Sequence, residues 1–311
     1  MKDSLRDPID WTSRPLRTLL FAPGDQPRKL AKVATFGADA VILDLEDAVA
    51  ASRKAEARAL VREALPGYAE VPVVVRVNAV STGLGFDDLA AVVGPALQAV
   101  MLPKTEDPDE LRAVDRRLAA LEHERSIPRD TIRLIPLIET ARGVARLERI
   151  ADAAPARVLT LAFGPGDLTT DLGVDLTREG TELLYARSRL VIAARARGLA
   201  PPIDGPYLLD LQDREGLIED TRRGRGLGYG GRALIYPAHV GPVNAVFSEI
   251  SADELARCRE IVAGFEAAEA GGTAALQIGG RLVDYPIYRR ALQKLRLYQA
   301  EHPSDSEDFH E

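Results

Sequence analysis

The chain has 311 residues, of which 46% are hydrophobic and 28% charged, and its formal net charge is −7. This composition is typical of a globular protein with one large domain or two smaller ones. Acidic and basic residues are interspersed along the whole sequence without a basic stripe, which argues against nucleic acid as a partner. The single cysteine, Cys258, excludes an internal disulfide bond and fits a reducing compartment.

The amino-terminal segment carries charges throughout and has no apolar core of the kind found in signal peptides. A run of about 18 uncharged apolar residues, as a membrane span requires, does not occur in the sequence. We therefore expect no contact with a membrane and a cytoplasmic location.

Eight short apolar segments alternate with longer amphipathic, charge-rich segments. This alternation is expected of βα units around a parallel sheet. The longer segments have helical periodicity, and several begin after Asp, Ser or Thr and end near Gly. The apolar segments are TLLFAP (18–23), AVILDL (40–45), VPVVVRVN (71–78), AVMLPK (99–104), IRLIPLIE (132–139), VLTLAF (158–163), LAPPIDG (199–205) and RALIYP (232–237).

Eight strands, each followed by a helix, predict an α/β fold of the (β/α)8 TIM barrel type, which takes about 250 residues. A doubly wound open sheet is the alternative, but no G-x-G-x-x-G follows the first strand. The seventh strand is the weakest prediction because Pro201 and Pro202 lie within it. The glycine-rich stretch 224–232 precedes a strand instead of following one, so we expect a loop there.

The chain is predicted to consist of three parts. Residues 14–270 form the catalytic barrel, and residues 271–300 form a C-terminal helical lid segment that begins with a small-residue linker. Residues 301–311 are acidic and polar, which predicts a disordered tail.

The residues that end the apolar segments predict an active site, because chemistry in such barrels lies at the carboxyl ends of the strands. Glu139 and Asp167 follow neighbouring strands, so their carboxylates can reach one Mg²⁺ ion, which commonly takes one or two carboxylates plus substrate oxygens and water. Arg76 can bind a substrate carboxylate in a bidentate fork. The full set is Pro23, Gly24, Asp44, Glu46, Asp47, Arg76, Asn78, Lys104, Glu139, Asp167, Asp204, Tyr236 and Pro237.

Seven motifs in order, between about residue 14 and residue 295, resemble the citrate lyase β-subunit-like branch of the HpcH/HpaI aldolase superfamily, which includes malyl-CoA and citramalyl-CoA lyases. The resemblance implies a Mg²⁺-dependent (β/α)8 enzyme, with Mn²⁺ as a substitute. Such an enzyme is a carbon–carbon lyase that joins or separates an acyl-CoA and a 2-oxo acid. The motifs are RTLLFAPGDQPRKLAKVATFGADAVILDLEDAV, VVVRVN, VMLPKTE, LIPLIET, FGPGDLTTDLG, IDGPY and GRLVDYP.

The resemblance also implies roles for individual residues. Glu139 and Asp167 would be the metal ligands, with Glu139 also at the substrate, and Arg76 would anchor the carboxylate of the 2-oxo acid. Glu46 and Asp47 match acids that lie beside the metal site and hydrogen-bond metal-bound waters and neighbouring bases. We therefore expect both to contribute to catalysis.

Asp284, in GRLVDYP, matches the catalytic acid or base of these lyases. In the family this residue lies on a C-terminal segment that caps the barrel of a neighbouring subunit. The resemblance therefore implies a homo-oligomer, a trimer or a multiple of one, whose active site is completed between subunits.

Further residues are assigned to substrate binding. Lys104 lies at the rim and Tyr236 stands where many relatives have His, so both are expected to contact the substrate. A second departure is Gly166, where many relatives have Glu before the metal-binding Asp. The phosphates of the coenzyme A thioester need cationic partners, and three basic residues near the first βα unit are candidates from their position, namely Arg17, Arg28 and Lys32.

Most of these residues also have a purely structural interpretation. Arg76 can neutralise the acids of LDLED, Lys104 can form a salt bridge at the rim, and Asp284 can cap a helix. The activity has alternatives too. They are a citrate lyase β subunit acting on a carrier-protein thioester, a thioesterase with the same site, and a barrel that serves only as a scaffold.

Overall fold

The computed structural model describes residues 16–248, 250 and 252–301. The chain divides between Phe247 and Ser248 into two compact units. This boundary lies before the predicted one at residue 270, because the helix over 252–270 packs with the C-terminal segment. Glu301 ends the last helix, and the rest of the predicted disordered tail lies outside the described residues.

Eight parallel strands close into a barrel in the first unit, each paired with its neighbours in sequence and the first with the eighth. The prediction of a (β/α)8 TIM barrel is confirmed, and the doubly wound sheet is excluded. The strands are β1 (Thr18–Pro23), β2 (Ala40–Asp44), β3 (Val73–Arg76), β4 (Ala99–Leu102), β5 (Arg133–Ile138), β6 (Ala162–Phe163), β7 (Ile203–Asp204) and β8 (Gly231–Leu234).

Ten α-helices cover or follow these strands in the described part of the first unit. They are α1 (Pro27–Lys32), α2 (Lys54–Ala64), α3 (Gly85–Val92), α4 (Pro108–Glu124), α5 (Ala141–Ala145), α6 (Leu147–Asp152), α7 (Pro165–Leu172), α8 (Thr181–Ala196), α9 (Arg214–Leu227) and α10 (Val240–Ser248). Short 3₁₀ turns occupy Val33–Phe36, Ala51–Arg53, Leu65–Gly67, Val80–Thr82 and Pro237–His239.

The apolar strand sequences reflect burial on both faces. In β2, Ile42 belongs to a cluster inside the barrel, whereas its neighbours Val41 and Leu43 pack in the outer cluster that includes the helices. All five residues of β2 are buried. A parallel strand covered on both sides has no polar face, so its sequence is a continuous apolar run instead of an alternating one.

The largest differences from the prediction concern two strands and one loop. β7 begins at Ile203, after both prolines, because proline cannot donate to the strand ladder. β6 is reduced to Ala162–Phe163 of the predicted segment 158–163. The predicted loop at 224–232 is correct only for 228–230, since α9 continues to Leu227 and ends where Gly228 adopts φ +115°, and β8 begins at Gly231.

The second unit consists of α11 (Ala252–Ala270), a hairpin of β9 (Leu276–Ile278) and β10 (Arg281–Val283), and α12 (Tyr285–Glu301). The sequence predicted a linker and a helix here but missed the hairpin. Its turn is Gly279–Gly280, both with positive φ, which is the sequence signal of a two-residue hairpin. Phe265 of α11 is buried and stacks on Tyr288 of α12 with 4.7 Å between ring centroids.

Among the described residues, no helix has the length and apolar character needed to cross a bilayer.

Candidate active site

A cavity of about 1000 Å³ opens at the carboxyl ends of the barrel strands. Charged side chains in its lining come from the ends of β2 and β3, the loops after β2 and β5, and helices α1 and α7, while many of the other lining residues are apolar. The lining includes Phe21, Val33, Phe36, Asp44, Asp47, Arg76, Glu139, Gly164, Gly166, Asp167, Leu208, Ile235 and Tyr236. The structure therefore brings together most of the residues that the sequence assigned to the site.

Arg76 is held by the last residue of the neighbouring strand. Its Nε and Nη2 donate to the two carboxylate oxygens of Asp44, each at 2.7 Å, and Asp44 and Arg76 are register partners in β2 and β3. Asp44 also accepts from the backbone N–H groups of Glu46 and Ala48, at 2.9 and 3.1 Å. The first acid of LDLED therefore fixes both the arginine and the loop that carries the other two acids.

Arg76 retains donors for a further acceptor. A guanidinium has five N–H groups, and the fork with Asp44 uses only two. Nη1 lies 3.2 Å from Glu46 Oε2, and the guanidinium carbon lies 4.9 Å from the centroid of the Phe21 ring. The structural and the substrate-binding interpretations of Arg76 are thus compatible. The edge with Nε and Nη2 binds Asp44, and the remaining N–H groups can bind a substrate carboxylate.

Lys104 lies among three carboxylates. Its Nζ is 2.5 Å from Glu46 Oε1, 3.1 Å from Asp167 Oδ2 and 3.5 Å from Asp47 Oδ1. Burial by itself would lower the pKa of Lys104, but the hydrogen bond and charge of Glu46, with those of the other acids, raise it well above its usual range. The lysine is therefore a permanent cation at neutral pH.

Glu139 follows β5 and is almost fully buried. Burial raises its pKa to about 8, and the negative charges of Glu46 and Asp167 add to this effect against the opposing charge of Arg76. The backbone N–H of Lys104 donates to Glu139 Oε1 at 2.8 Å. A buried carboxylate beside other acids is a strong candidate for holding a cation.

Gly164 makes room for this carboxylate. A Cβ atom at position 164 would lie 2.5 Å from Glu139 Oε2 and 2.5 Å from Glu139 Cβ. A side chain at this position would therefore displace the acid. Gly164 was not among the predicted site residues, although its place in FGPGD, next to a predicted strand end, is a signal by which it could have been found.

The acids suit a divalent cation. Asp167 Oδ2 is buried, and no group among the described residues donates a hydrogen bond of good geometry to it despite the nearby Lys104 ammonium. Within the same residues, no group of three or more Asp, Glu, His or Cys side chains could hold a metal ion by itself. Glu139 and Asp167 nonetheless meet the needs of Mg²⁺, which completes its coordination with water and substrate oxygens.

The cationic candidates for coenzyme A divide into two groups. Arg28 and Lys32 of α1 are exposed and line the cavity, as does Lys29, which was not among the predicted residues. The structure corrects the placement of Arg17. This residue precedes β1, and its guanidinium forms an ion pair with Asp39 at 2.8 Å, at the amino ends of the strands and away from the cavity.

Tyr236 lies at the cavity wall after β8. Its ring packs edge-on against His239 with 5.2 Å between centroids, and its hydroxyl accepts from Gln212 Nε2 at 3.3 Å. The histidine ring nitrogen Nε2 lies 3.0 Å from the carbonyl oxygen of Leu211. These contacts hold the phenol at the cavity edge.

Asp284 lies in the second unit, immediately before α12. Its side chain accepts from the backbone N–H of Ile287 at 3.3 Å, and its carbonyl accepts from the N–H of Tyr288 at 2.9 Å. This is the geometry of a helix N-cap. The structural role predicted as the alternative is thus present.

Residues 17–237 match the family model described as HpcH/HpaI aldolase/citrate lyase. The citrate lyase subunit beta of Leuconostoc mesenteroides subsp. cremoris is 34% identical over 293 residues, which cover 94% of this chain and 96% of the relative. An L-malyl-CoA/beta-methylmalyl-CoA lyase of Cereibacter sphaeroides is 33% identical over 301 residues, covering 90% and 93% of the two chains.

One solved structure is similar over nearly the whole chain. It is the CitE protein of Mycobacterium tuberculosis in complex with magnesium, acetoacetate and coenzyme A, with a TM-score of 0.75 and 32% sequence identity. The match covers 92% of this chain and 99% of that one.

Proposed function

The chain belongs to the HpcH/HpaI aldolase/citrate lyase family and is a carbon–carbon lyase, and we propose that it cleaves or forms a 3-hydroxyacyl-CoA with Mg²⁺ as its cofactor. The substrate would be malyl-CoA, citramalyl-CoA or citryl-CoA. The products would be acetyl-CoA, or a homologue, and a 2-oxo acid.

One observation carries this proposal. Glu139, Asp167 and Arg76 line the same cavity at the carboxyl ends of the strands. Two acids and a guanidinium are the groups needed to hold a divalent cation together with the carboxylate of an oxo acid. The similarity to a protein solved in complex with magnesium and coenzyme A supports the proposal that this protein binds both.

Glu139 and Asp167 would hold the metal. A Mg²⁺ ion bound there supplies a Lewis acid for the oxygen atoms of the oxo acid. We propose that Mn²⁺ can replace it, because both ions prefer oxygen ligands in octahedral geometry.

Arg76 would anchor the substrate carboxylate through the N–H groups that its fork with Asp44 leaves over. Burial and the ion pair with Asp44 fix the guanidinium before substrate arrives, so little ordering is needed on binding. Glu46 and Asp47 would orient hydrogen-bonding partners at the same end of the barrel. Burial raises the pKa of Glu46 above its usual value, against the opposing charges of Arg76 and Lys104.

Cleavage needs a base and an acid. A base removes the proton of the substrate's 3-hydroxyl group, the bond between C2 and C3 breaks, and the electron pair passes to the thioester enolate. An acid then returns one proton to C2, so that substrate and products balance. We assign this acid or base role to Asp284 of a neighbouring subunit, and Lys104 would add positive charge beside the developing enolate.

The coenzyme A portion would lie over the α1 side of the cavity. Arg28 and Lys32 are exposed there and carry the positive charge that phosphate groups require. Tyr236, which follows the neighbouring strand β8, would contact the acyl portion. We further propose that the protein is a cytoplasmic homo-oligomer, a trimer or a multiple of one, which light scattering would test.

A second candidate is the β subunit of a citrate lyase, which would act on a carrier-protein thioester. The 34% identity to a citrate lyase subunit beta along 96% of its length favours this candidate. The partner would then be a protein instead of free coenzyme A. The apolar cavity wall suits the thioester arm in either case.

The discriminating experiment offers the purified protein each acyl group twice, once on coenzyme A and once on a carrier protein, with Mg²⁺ present. Turnover of a free coenzyme A ester supports the leading proposal. Turnover of the carrier-protein ester alone supports the second candidate. Release of thiol without a 2-oxo acid would contradict both and identify a thioesterase.

A further inference from the structure

Lys104 contacts both proposed metal ligands, Glu139 through its backbone and Asp167 through its side chain. Its backbone N–H donates to Glu139 Oε1 at 2.8 Å, whereas its ammonium lies 3.1 Å from Asp167 Oδ2. The residue adopts φ +48°, which a non-glycine residue rarely does. Such a conformation persists where surrounding contacts hold it, as the carboxylates do here.

The ammonium and a divalent cation would draw on the same oxygen. Asp167 Oδ2 is buried and has no hydrogen bond of good geometry among the described residues, so the Lys104 charge is what balances it. Lys104 also pairs with Glu46 at 2.5 Å and with Asp47 at 3.5 Å. A metal ion at Asp167 would be repelled by an ammonium at this distance, since the interaction scales with both charges and the site is partly shielded from water.

We propose that the Lys104 ammonium acts as an internal cation among the site carboxylates. It must withdraw from Asp167 before a divalent ion binds there, and it thereby sets the metal affinity. This inference rests on the proposed metal site. The backbone of Lys104 keeps Glu139 in place throughout, while the flexible side chain moves toward Glu46 and Asp47. Lys104 is in this sense a positioning residue that tunes the site through Asp167.

The contacts also explain how the acids can lie close together. Glu46, Asp47 and Asp167 carry like charges that destabilise one another, and the ammonium between them offsets this repulsion. Removal of the ammonium should therefore have two opposite effects. It should destabilise the protein in EDTA and strengthen the binding of the metal.

The test measures Mg²⁺ binding by isothermal titration calorimetry and thermal unfolding with EDTA or Mg²⁺, for the wild type and Lys104→Met. The variant should bind Mg²⁺ about tenfold more tightly, because a neighbouring positive charge is gone. Its Tm should be lower than that of the wild type in EDTA, and the Tm increase caused by Mg²⁺ should be larger. Lys104→Gln replaces Lys104→Met if the latter does not fold.

Two controls isolate the position of the charge. Lys104→Arg keeps a cation and should retain an affinity near that of the wild type. Lys32→Met removes the same charge from the cavity without touching the acids, and should leave the Mg²⁺ affinity unchanged. A tighter Kd for Lys104→Met alone is the supporting result.

The inference and the metal site can fail separately. If Mg²⁺ binds the wild type and is lost in Asp167→Asn, but Lys104→Met binds it equally or less tightly, then the role of Lys104 is overturned. If the wild type does not bind Mg²⁺, or Asp167→Asn binds it as well as the wild type, then the proposed metal site is wrong, and the inference falls with it.

Discussion

Asp44 and Arg76 form a bidentate ion pair between the last residues of two neighbouring strands, with both N–O distances at 2.7 Å. Asp44 is almost fully buried, and only 12% of the Arg76 side chain is exposed. Because Asp44 also binds two backbone N–H groups of the following loop, this pair connects the arginine of the site to the segment that carries Glu46 and Asp47.

Asp44→Ala should destabilise the fold by about 3 kcal/mol, because it leaves a buried guanidinium without its main partner and two backbone donors unsatisfied. Urea unfolding would measure the loss. Asp47→Ala is the matched control, since the Asp47 side chain is 51% exposed and lies 3.9 Å from Arg76, and should cost at most about 1 kcal/mol. Equal losses in the two variants would contradict the structural role of Asp44.

Gly164→Ala should reduce kcat at least about tenfold, because the new methyl group would displace the Glu139 carboxylate from its position. Steady-state kinetics and Mg²⁺ titration would measure this effect. Gly226→Ala is the control, since a Cβ atom at that exposed position of α9 meets nothing within 4 Å. It should stabilise the helix by about 0.5–1 kcal/mol without changing kcat. Normal activity in Gly164→Ala would show that the position of Glu139 is not critical.

The free energy of unfolding should fall in acid because of a buried ion network formed by side chains of α8, α9 and β8. Asp220 pairs with Arg187 and Arg232. Burial would raise the pKa of Asp220, but the two arginines outweigh it and lower the pKa to about 2. A carboxyl whose pKa is lower in the folded state than the usual 3.8 stabilises the protein above that value and loses this contribution as the pH falls toward 2.

Thermal unfolding between pH 6 and pH 2 would test this prediction. The full contribution, about 2 kcal/mol, should be present at pH 6 and should decline below about pH 4. Asp220→Asn should be less stable at pH 6 and should show a weaker dependence on pH in the acid range. An identical pH dependence in the variant and the wild type would rule out Asp220 as a source of the effect.

Asp284 offers a test of the shared active site. Asp284→Asn should lose most activity while keeping the cap of α12, because asparagine caps helices as well as aspartate does. Asp284→Ala should lose activity and also about 1 kcal/mol of stability, measured by thermal unfolding. If Asp284→Asn is fully active, the cap is the only role of this residue.

Mixing inactive variants would show whether the site is shared. Mixed oligomers of Asp284→Asn and Arg76→Ala should recover part of the activity, since some sites would then combine an intact Arg76 with an intact Asp284. Each variant alone, treated in the same way, is the control. An absence of recovery in oligomers verified to contain both variants would contradict a site formed between subunits.

Much of the barrel could be predicted from the sequence because its strands are buried on both faces. Such strands are continuous apolar runs, and β1 begins and ends at the predicted residues 18 and 23. β6 and β7 were harder to place, because each has only two residues and the prolines before β7 interrupt the pattern. The β9–β10 hairpin was missed because its strands have three residues each and an apolar pattern too short to recognise.

The charged site could be predicted in part, since the carboxyl ends of all strands lie at the same end of a closed parallel barrel. The positions of Arg76, Glu139 and Asp167 along the chain were therefore informative. Contacts between side chains could not be predicted, because a sequence does not show which carboxylate oxygen an ammonium group contacts. The contact of Lys104 with Asp167 required coordinates. The place of Arg17 at the opposite end of the barrel did not, because this residue directly precedes the predicted first strand.

The central claim is that Mg²⁺-dependent carbon–carbon cleavage takes place at Glu139 and Asp167. The most direct measurement follows 2-oxo acid and acyl-CoA by mass spectrometry, with malyl-CoA, citramalyl-CoA and citryl-CoA offered separately to the wild type and to Asp167→Asn. We expect the wild type to form the two products in equal amounts from at least one substrate, with activity lost in EDTA and in the variant. Product formation that persists in EDTA or in Asp167→Asn would contradict the account.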